Sequence, residues 1–66
     1  MSEKIALFGA GGKMGVRLSL NLKNSPYEVR HVEPGEVGQH RLRDEVGVEC
    51  VSPAEALKDV DVVILA

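Results

Sequence analysis

Four of the chain's seven glycines fall between positions 9 and 15, in the stretch FGAGGKMG. They follow an apolar run, KIALF, and precede a leucine-bearing segment. A strand that enters a glycine turn and leaves as a helix suits an anion. The helix N-terminus offers free N–H groups and positive dipole, and glycine lets the backbone come close to phosphate. The strict G-x-G-x-x-G spacing fails from Gly9, because it ends on Met14. Started at Ala10 it reads A-G-G-K-M-G, and a G-x-x-G-x-x-G frame fits Gly9, Gly12 and Gly15. Both frames agree on Gly12 as the glycine of closest approach and Gly15 as the helix-packing glycine. They leave Gly9 and Gly11 as turn glycines, replaceable at lower cost. The N–H groups of Gly12, Lys13 and Met14 would face a dinucleotide pyrophosphate. The competing reading is a strand–helix turn with no ligand; placement after the first strand favours the dinucleotide.

The second chemical requirement is an acid at the end of the next strand. Glu33 lies 18 residues beyond Gly15 and immediately before Pro34-Gly35. A carboxylate there accepts both hydroxyls of an adenosine ribose and repels a 2′-phosphate, which favours NAD over NADP. The plain alternative is a surface acid before a turn. Arg30, Arg41 and Arg43 are counter-evidence, since an arginine near this point holds a 2′-phosphate. Their places, mid-strand and well along a helix, weigh against that role.

Positioning these groups takes a particular run of elements. KIALF (4–8) reads as a buried strand, and residues 13–23 as a helix ending near Asn24-Ser25-Pro26. Met14, Leu18 and Leu22 form its expected inward face, with Val16 and Leu20 pointing away toward a second apolar partner. Residues 27–33 (YEVRHVE) read as a strand. Residues 36–46 read as a short helix with Val37, Leu42 and Val46 inward, weakened by Gly38 and capped by Gly47. Residues 48–51 read as a brief third strand. Ser52-Pro53-Ala54-Glu55 is a helix start with a capping residue, a proline at the first helical position and a capping-box acid. VDVVILA (60–66) reads as a strand buried on both faces. The β-α-β-α-β-α-β order predicts a parallel sheet, strand order 3-2-1-4. Two helices would lie on one face and one on the other, with a ligand at the switch between strands one and four. Ala66, at the carboxyl end of the last strand, would border that crevice.

Composition sets the limits. With 66 residues there is room for one small domain, marginal in stability. A hydrophobic fraction of 44% and a net charge of −2 with interspersed signs argue for a globular chain and against a nucleic-acid surface. No apolar run approaches the length of a membrane span, and MSEKIALF lacks the long apolar core of a signal peptide. The single cysteine, Cys50, excludes an internal disulfide and leads to the expectation of a cytoplasmic setting. Cys50 reads as a small packed side chain, and Phe8 and Tyr27 as core. His31 and His40 show no metal-ligand spacing, so no metal is expected. Asp59 and Asp61 read as solvent-facing rather than an acid pair.

KIALFGAGGKMG, the strand end HVEPG and the strand DVVILA together resemble the N-terminal NAD(P)-binding domain of the 6-phosphogluconate and 3-hydroxyisobutyrate dehydrogenase group. That group's G-x-G-x-M-G loop maps onto Ala10, Gly12, Met14 and Gly15, with Ala10 departing from the family glycine. Within the group the sequence is most similar to the small phosphogluconate-dehydrogenase-like oxidoreductases that include D-apionate oxidoisomerase. The loop is also similar to the G-A-G-G-R-M-G of dihydrodipicolinate reductase. That family carries a longer segment than the 14 residues between Glu33 and Val48, and a different last strand. The resemblance implies a Rossmann-type three-layer α/β half-domain over residues 1–66, the first part of a longer NAD-dependent oxidoreductase acting on a hydroxy acid or sugar acid. It implies a homodimer at full length and a catalytic lysine later in the chain. Lys13 then reads as a phosphate neighbour. The cofactor-binding set is Gly9, Gly11, Gly12, Lys13, Met14, Gly15, Glu33 and Ala66. A different class, a non-catalytic NAD-sensing module, remains open because no catalytic residue is visible.

Overall fold

The apolar run Lys4–Phe8 forms β1, and it is the middle strand of a three-stranded parallel sheet. The computed structural model describes residues 3–66; Met1 and Ser2, part of the MSEKIALF stretch, lie outside them. β1 pairs with β2 (Glu28–Val32) from Lys4↔Glu28 to Phe8↔Val32, and with β3 (Val62–Leu65) from Ile5↔Val62 to Phe8↔Leu65. With a neighbour on each side and a layer on each face, Ile5, Ala6 and Leu7 are buried. Among the described residues no helix is long and apolar enough to cross a membrane.

Alternate residues of β1 serve opposite layers, as strand geometry requires. Leu7 packs with Ala10, Val16, Leu42 and Val46 beneath the first two helices. Ala6 packs with Val32 and Ala56 of the third helix. The helices are α1 (Lys13–Lys23), α2 (Glu36–Arg41) and α3 (Pro53–Ala56), and α2 runs on into a π-helical turn, Leu42–Val46. Gly47 ends that turn in the left-handed region (φ 79°), donating its N–H to Leu42 O at 2.8 Å. Ser52 caps α3, its Oγ accepting from Glu55 N–H at 3.2 Å.

The expected strand order 3-2-1-4 is visible as β2-β1-β3. The strand expected at residues 48–51 is reduced to one bridge, His31↔Cys50, on the outer side of β2. Four further expectations are corrected. Gly15, Val16 and Ser19 form the buried face of α1, while Met14 is 64% exposed. On α2, Gly38 is buried and Val37 is 73% exposed. In both helices a glycine, not the largest side chain, faces inward, because it lets the backbone approach its neighbour. Tyr27 lies outside the core, just before β2. The last strand is not buried on both faces: Val62, Val63 and Leu65 are exposed, since β3 has a partner on one side only. Asp61 exchanges bonds with the Lys4 backbone, and Asp59 makes a positive-φ turn (54°), so neither belongs to an acid pair.

Candidate functional site

The glycine loop lies at the carboxyl end of β1, between the ends of β2 and β3. Gly9 has φ 76°, and its N–H reaches Val32 O at 3.0 Å. A Cβ on Gly9 would stand 3.0 Å from Ala66 O, which places Ala66 against the loop. A Cβ on Gly11 would lie 2.5 Å from the Gly38 backbone, and one on Gly15 would lie 2.6 Å from the Ala10 backbone. The expectation that Gly9 and Gly11 are replaceable at lower cost is corrected: both are costly to replace. Left-handed backbone constrains the first, and contact with α2 the second. Gly12 differs: a Cβ there would meet only Gly9 O, at 3.6 Å, an ordinary contact. Nothing among the described residues requires glycine at position 12. The space beside it is open.

Gly12 is the N-cap of α1, without a side-chain cap, and the first turn carries no acid. Its own N–H bonds Gly9 O at 3.2 Å. Of the three N–H groups expected to face an anion, Gly12 is thus already taken. Those of Lys13 and Met14 have no acceptor among the described residues. An uncapped helix end with free donors and no acid in its first turn fits a bound phosphate group.

Glu33, one residue past β2, turns into this loop. Its Oε1 accepts from Gly11 N–H at 2.9 Å and its Oε2 from Gly35 N–H at 3.1 Å. Each carboxylate oxygen keeps a further lone pair for an outside donor. Beside Glu33 opens a cleft of about 380 Å³, bordered by Pro34, Gln39, Arg43, Cys50 and Ser52. Among the described residues no group of three His, Cys, Asp or Glu side chains is assembled for a metal.

No family model matches the chain. It is 70% identical over 66 residues to a D-apionate oxidoisomerase from Cupriavidus necator, and 56% identical over 62 residues to one from Rhizobium rhizogenes. It spans about a quarter of the length of these relatives, 24% and 22%. Among solved structures it superposes with TM-score 0.97 and 70% identity on a semialdehyde dehydrogenase NAD-binding protein from Cupriavidus necator in complex with calcium and NAD. That match covers all of this chain and 24% of the other. An oxidoreductase from Jannaschia sp. CCS1 matches with TM-score 0.87 at 29% identity, over 98% of this chain and 23% of the other. The chain has a Rossmann-type fold.

On this Rossmann-type sheet the glycine loop and Glu33 meet where β1 separates β2 from β3. The three arginines considered as 2′-phosphate partners all have other partners. Arg30 pairs with Glu28 and donates to the carbonyls of Glu55, Ala56 and Lys58, closing the end of α3. Arg41 donates to Gly11 O at 2.8 Å and lies 3.8 Å from Glu45. Arg43 pairs with Glu49 at 3.6 Å. Burial pushes the Cys50 thiol above its ordinary pKa, and the carboxylates of Glu33 and Glu49 add to this while Arg43 opposes it. His31, beneath the site, is buried with Nε2 unpartnered, and that burial lowers its pKa. Sequence reasoning missed Gly38, Gln39 and Gly35 as parts of the site. The available signal was the second glycine in the opening turn of a helix, which has no local reason to be there.

Proposed function

We propose that this chain is the NAD-binding part of an oxidoreductase. The observation that carries the reading is the Gly11–Glu33 bond. It joins the ribose-type acid just past β2 to the phosphate-type loop that follows β1, 22 residues apart in sequence. The free N–H groups of Lys13 and Met14 would hold the pyrophosphate, with Gly12 leaving room for it. Glu33 would accept the adenosine ribose hydroxyls through its outward lone pairs. The NAD-bound neighbour at TM-score 0.97 supports the same cofactor. When bound, NAD supplies the hydride acceptor. The chain's own residues hold and orient it, and the reaction's proton-transfer groups would lie outside these 66 residues.

The finer reading is a hydroxy-acid or sugar-acid substrate, D-apionate-like, which rests on the names of the 70% and 56% identical relatives. Membership of the 6-phosphogluconate and 3-hydroxyisobutyrate dehydrogenase group rests on the loop from Ala10 to Gly15. A Rossmann-type half-domain within a longer homodimeric, cytoplasmic enzyme belongs to the same proposal. Titrating the protein at its natural length with NAD and NADP tests the cofactor. NAD should bind more tightly, and Glu33→Ala should narrow the gap by about tenfold or more, the worth of a charge–charge conflict. Equal affinities in the wild type would remove the Glu33 assignment. Turnover of NAD with D-apionate separates the enzyme from a non-catalytic NAD sensor.

A further inference from the structure

Glu33 is held more firmly than a ribose acceptor needs. Beyond the two N–H groups on its carboxylate, its own carbonyl accepts from Gln39 Nε2 at 2.7 Å. Helix α2 also lies directly against its side chain: a Cβ at Gly38 would stand 2.6 Å from Glu33 Cγ and 2.7 Å from Cδ. Gly11, at the other end of the clamp, is fixed from the same helix. Arg41 Nη1 donates to the Gly11 carbonyl, and the Gly38 backbone closes on the Gly11 Cα. One turn of α2 therefore fixes both partners of the Gly11–Glu33 bond.

We propose that Gly38, Gln39 and Arg41 are positioning residues that set the preference for NAD over NADP. The proposal rests on the NAD reading above. A carboxylate on a free loop rotates aside when a 2′-phosphate approaches, and like-charge repulsion then falls. A carboxylate held at both oxygens, at its carbonyl and along its stem cannot turn away. The repulsion then acts in full against NADP. A hydrogen bond with a charged partner, such as that of Arg41, is worth about tenfold or more in an equilibrium constant, and a neutral one, such as that of Gln39 to the Glu33 carbonyl, about fivefold.

The test measures dissociation constants for NAD and NADP on the protein at its natural length. The variants are Gly38→Ala, Gln39→Ala, Arg41→Met and Arg41→Lys. Arg41→Met should shrink the NADP-to-NAD ratio by about tenfold and Gln39→Ala by about fivefold, mainly by tightening NADP, with NAD changed less than about threefold. Arg41→Lys should recover most of the ratio, because an ammonium still donates to the Gly11 carbonyl. Gly38→Ala should move the ratio furthest, because it displaces the Glu33 stem. If it does not fold, the Gln39 and Arg41 variants carry the test. A ratio unmoved in those variants, or NAD and NADP weakening together, overturns the proposal while leaving the NAD reading intact. A wild type without preference for NAD overturns both.

Discussion

Gly12 and Gly15 both belong to the loop, yet the structure gives them opposite duties, and exchanging each for alanine separates stability from binding. At Gly15 the new Cβ would sit 2.6 Å from the carbonyl carbon and Cα of Ala10, with Gly9 O closer still. These are backbone atoms of a residue with no exposed surface, so they cannot swing aside. Reaching an ordinary 3.4 Å contact means opening the helix–loop packing by roughly 0.8 Å against Ala10 and roughly 1.3 Å against Gly9 O, which lies 2.1 Å from the new Cβ. Overpacking of this kind costs about 1–3 kcal/mol, offset by about 0.5–1 kcal/mol from replacing glycine in a helix. A net loss of about 1–2 kcal/mol is a large share of the total for a fold of this size. At Gly12 the Cβ would meet one atom at 3.6 Å, and φ is −76°, so the free protein should lose less than about 1 kcal/mol, the difference in N-cap preference. The same methyl group would occupy the space left for the pyrophosphate, and NAD affinity should fall by tenfold or more, about the effect of a lost charge-assisted contact. Urea melts paired with NAD titrations read both quantities. Wild-type NAD affinity in Gly12→Ala, or a wild-type urea midpoint in Gly15→Ala, would refute this division.

Further outcomes follow from His31, which is buried, and Cys50, which is half-buried. His31 is neutral in the fold, with its pKa lowered by burial from the ordinary 6.5, so the unfolded chain takes up the proton first. Stability should be full above pH 6.5 and decline as pH falls from there toward the folded value, and His31→Leu should flatten that slope in urea melts. Cys50, with its thiol pKa raised, should react with a disulfide reagent near pH 8 more slowly than a cysteine in a short peptide. Glu33→Gln should speed that reaction, because it removes one of the charges that holds the thiol protonated.

Where one residue type decides local structure, the sequence was readable. KIALF became β1, residues 13–23 became α1 with those bounds, and Ser52-Pro53 and Gly47 mark the ends expected of them. The faces of α1 and α2 were misread for one shared reason. Periodicity counts apolar side chains, whereas these helices are oriented by the glycines that let backbones touch, Gly15 on Ala10 and Gly38 on Gly11. A side chain that is absent leaves no mark on a hydrophobic pattern. Glu33 was found by its spacing. Its clamp was not, because Gln39 and Arg41 act through bonds to backbone atoms that no pattern of side chains encodes.

The commitments of the arginines bear on how such a site could change its cofactor. Removing Glu33 lifts a repulsion but supplies no cation for a phosphate. Arg30 closes α3 and Arg41 pins Gly11, so redeploying either would unfasten the scaffold. Among the described residues Arg43 is held only by an exposed ion pair with Glu49, of the kind that contributes little, and it already borders the cleft beside Glu33. The least disruptive path to NADP therefore needs Glu33 and Glu49 changed together, the first to lift the repulsion and the second to free an arginine already at the cleft's edge.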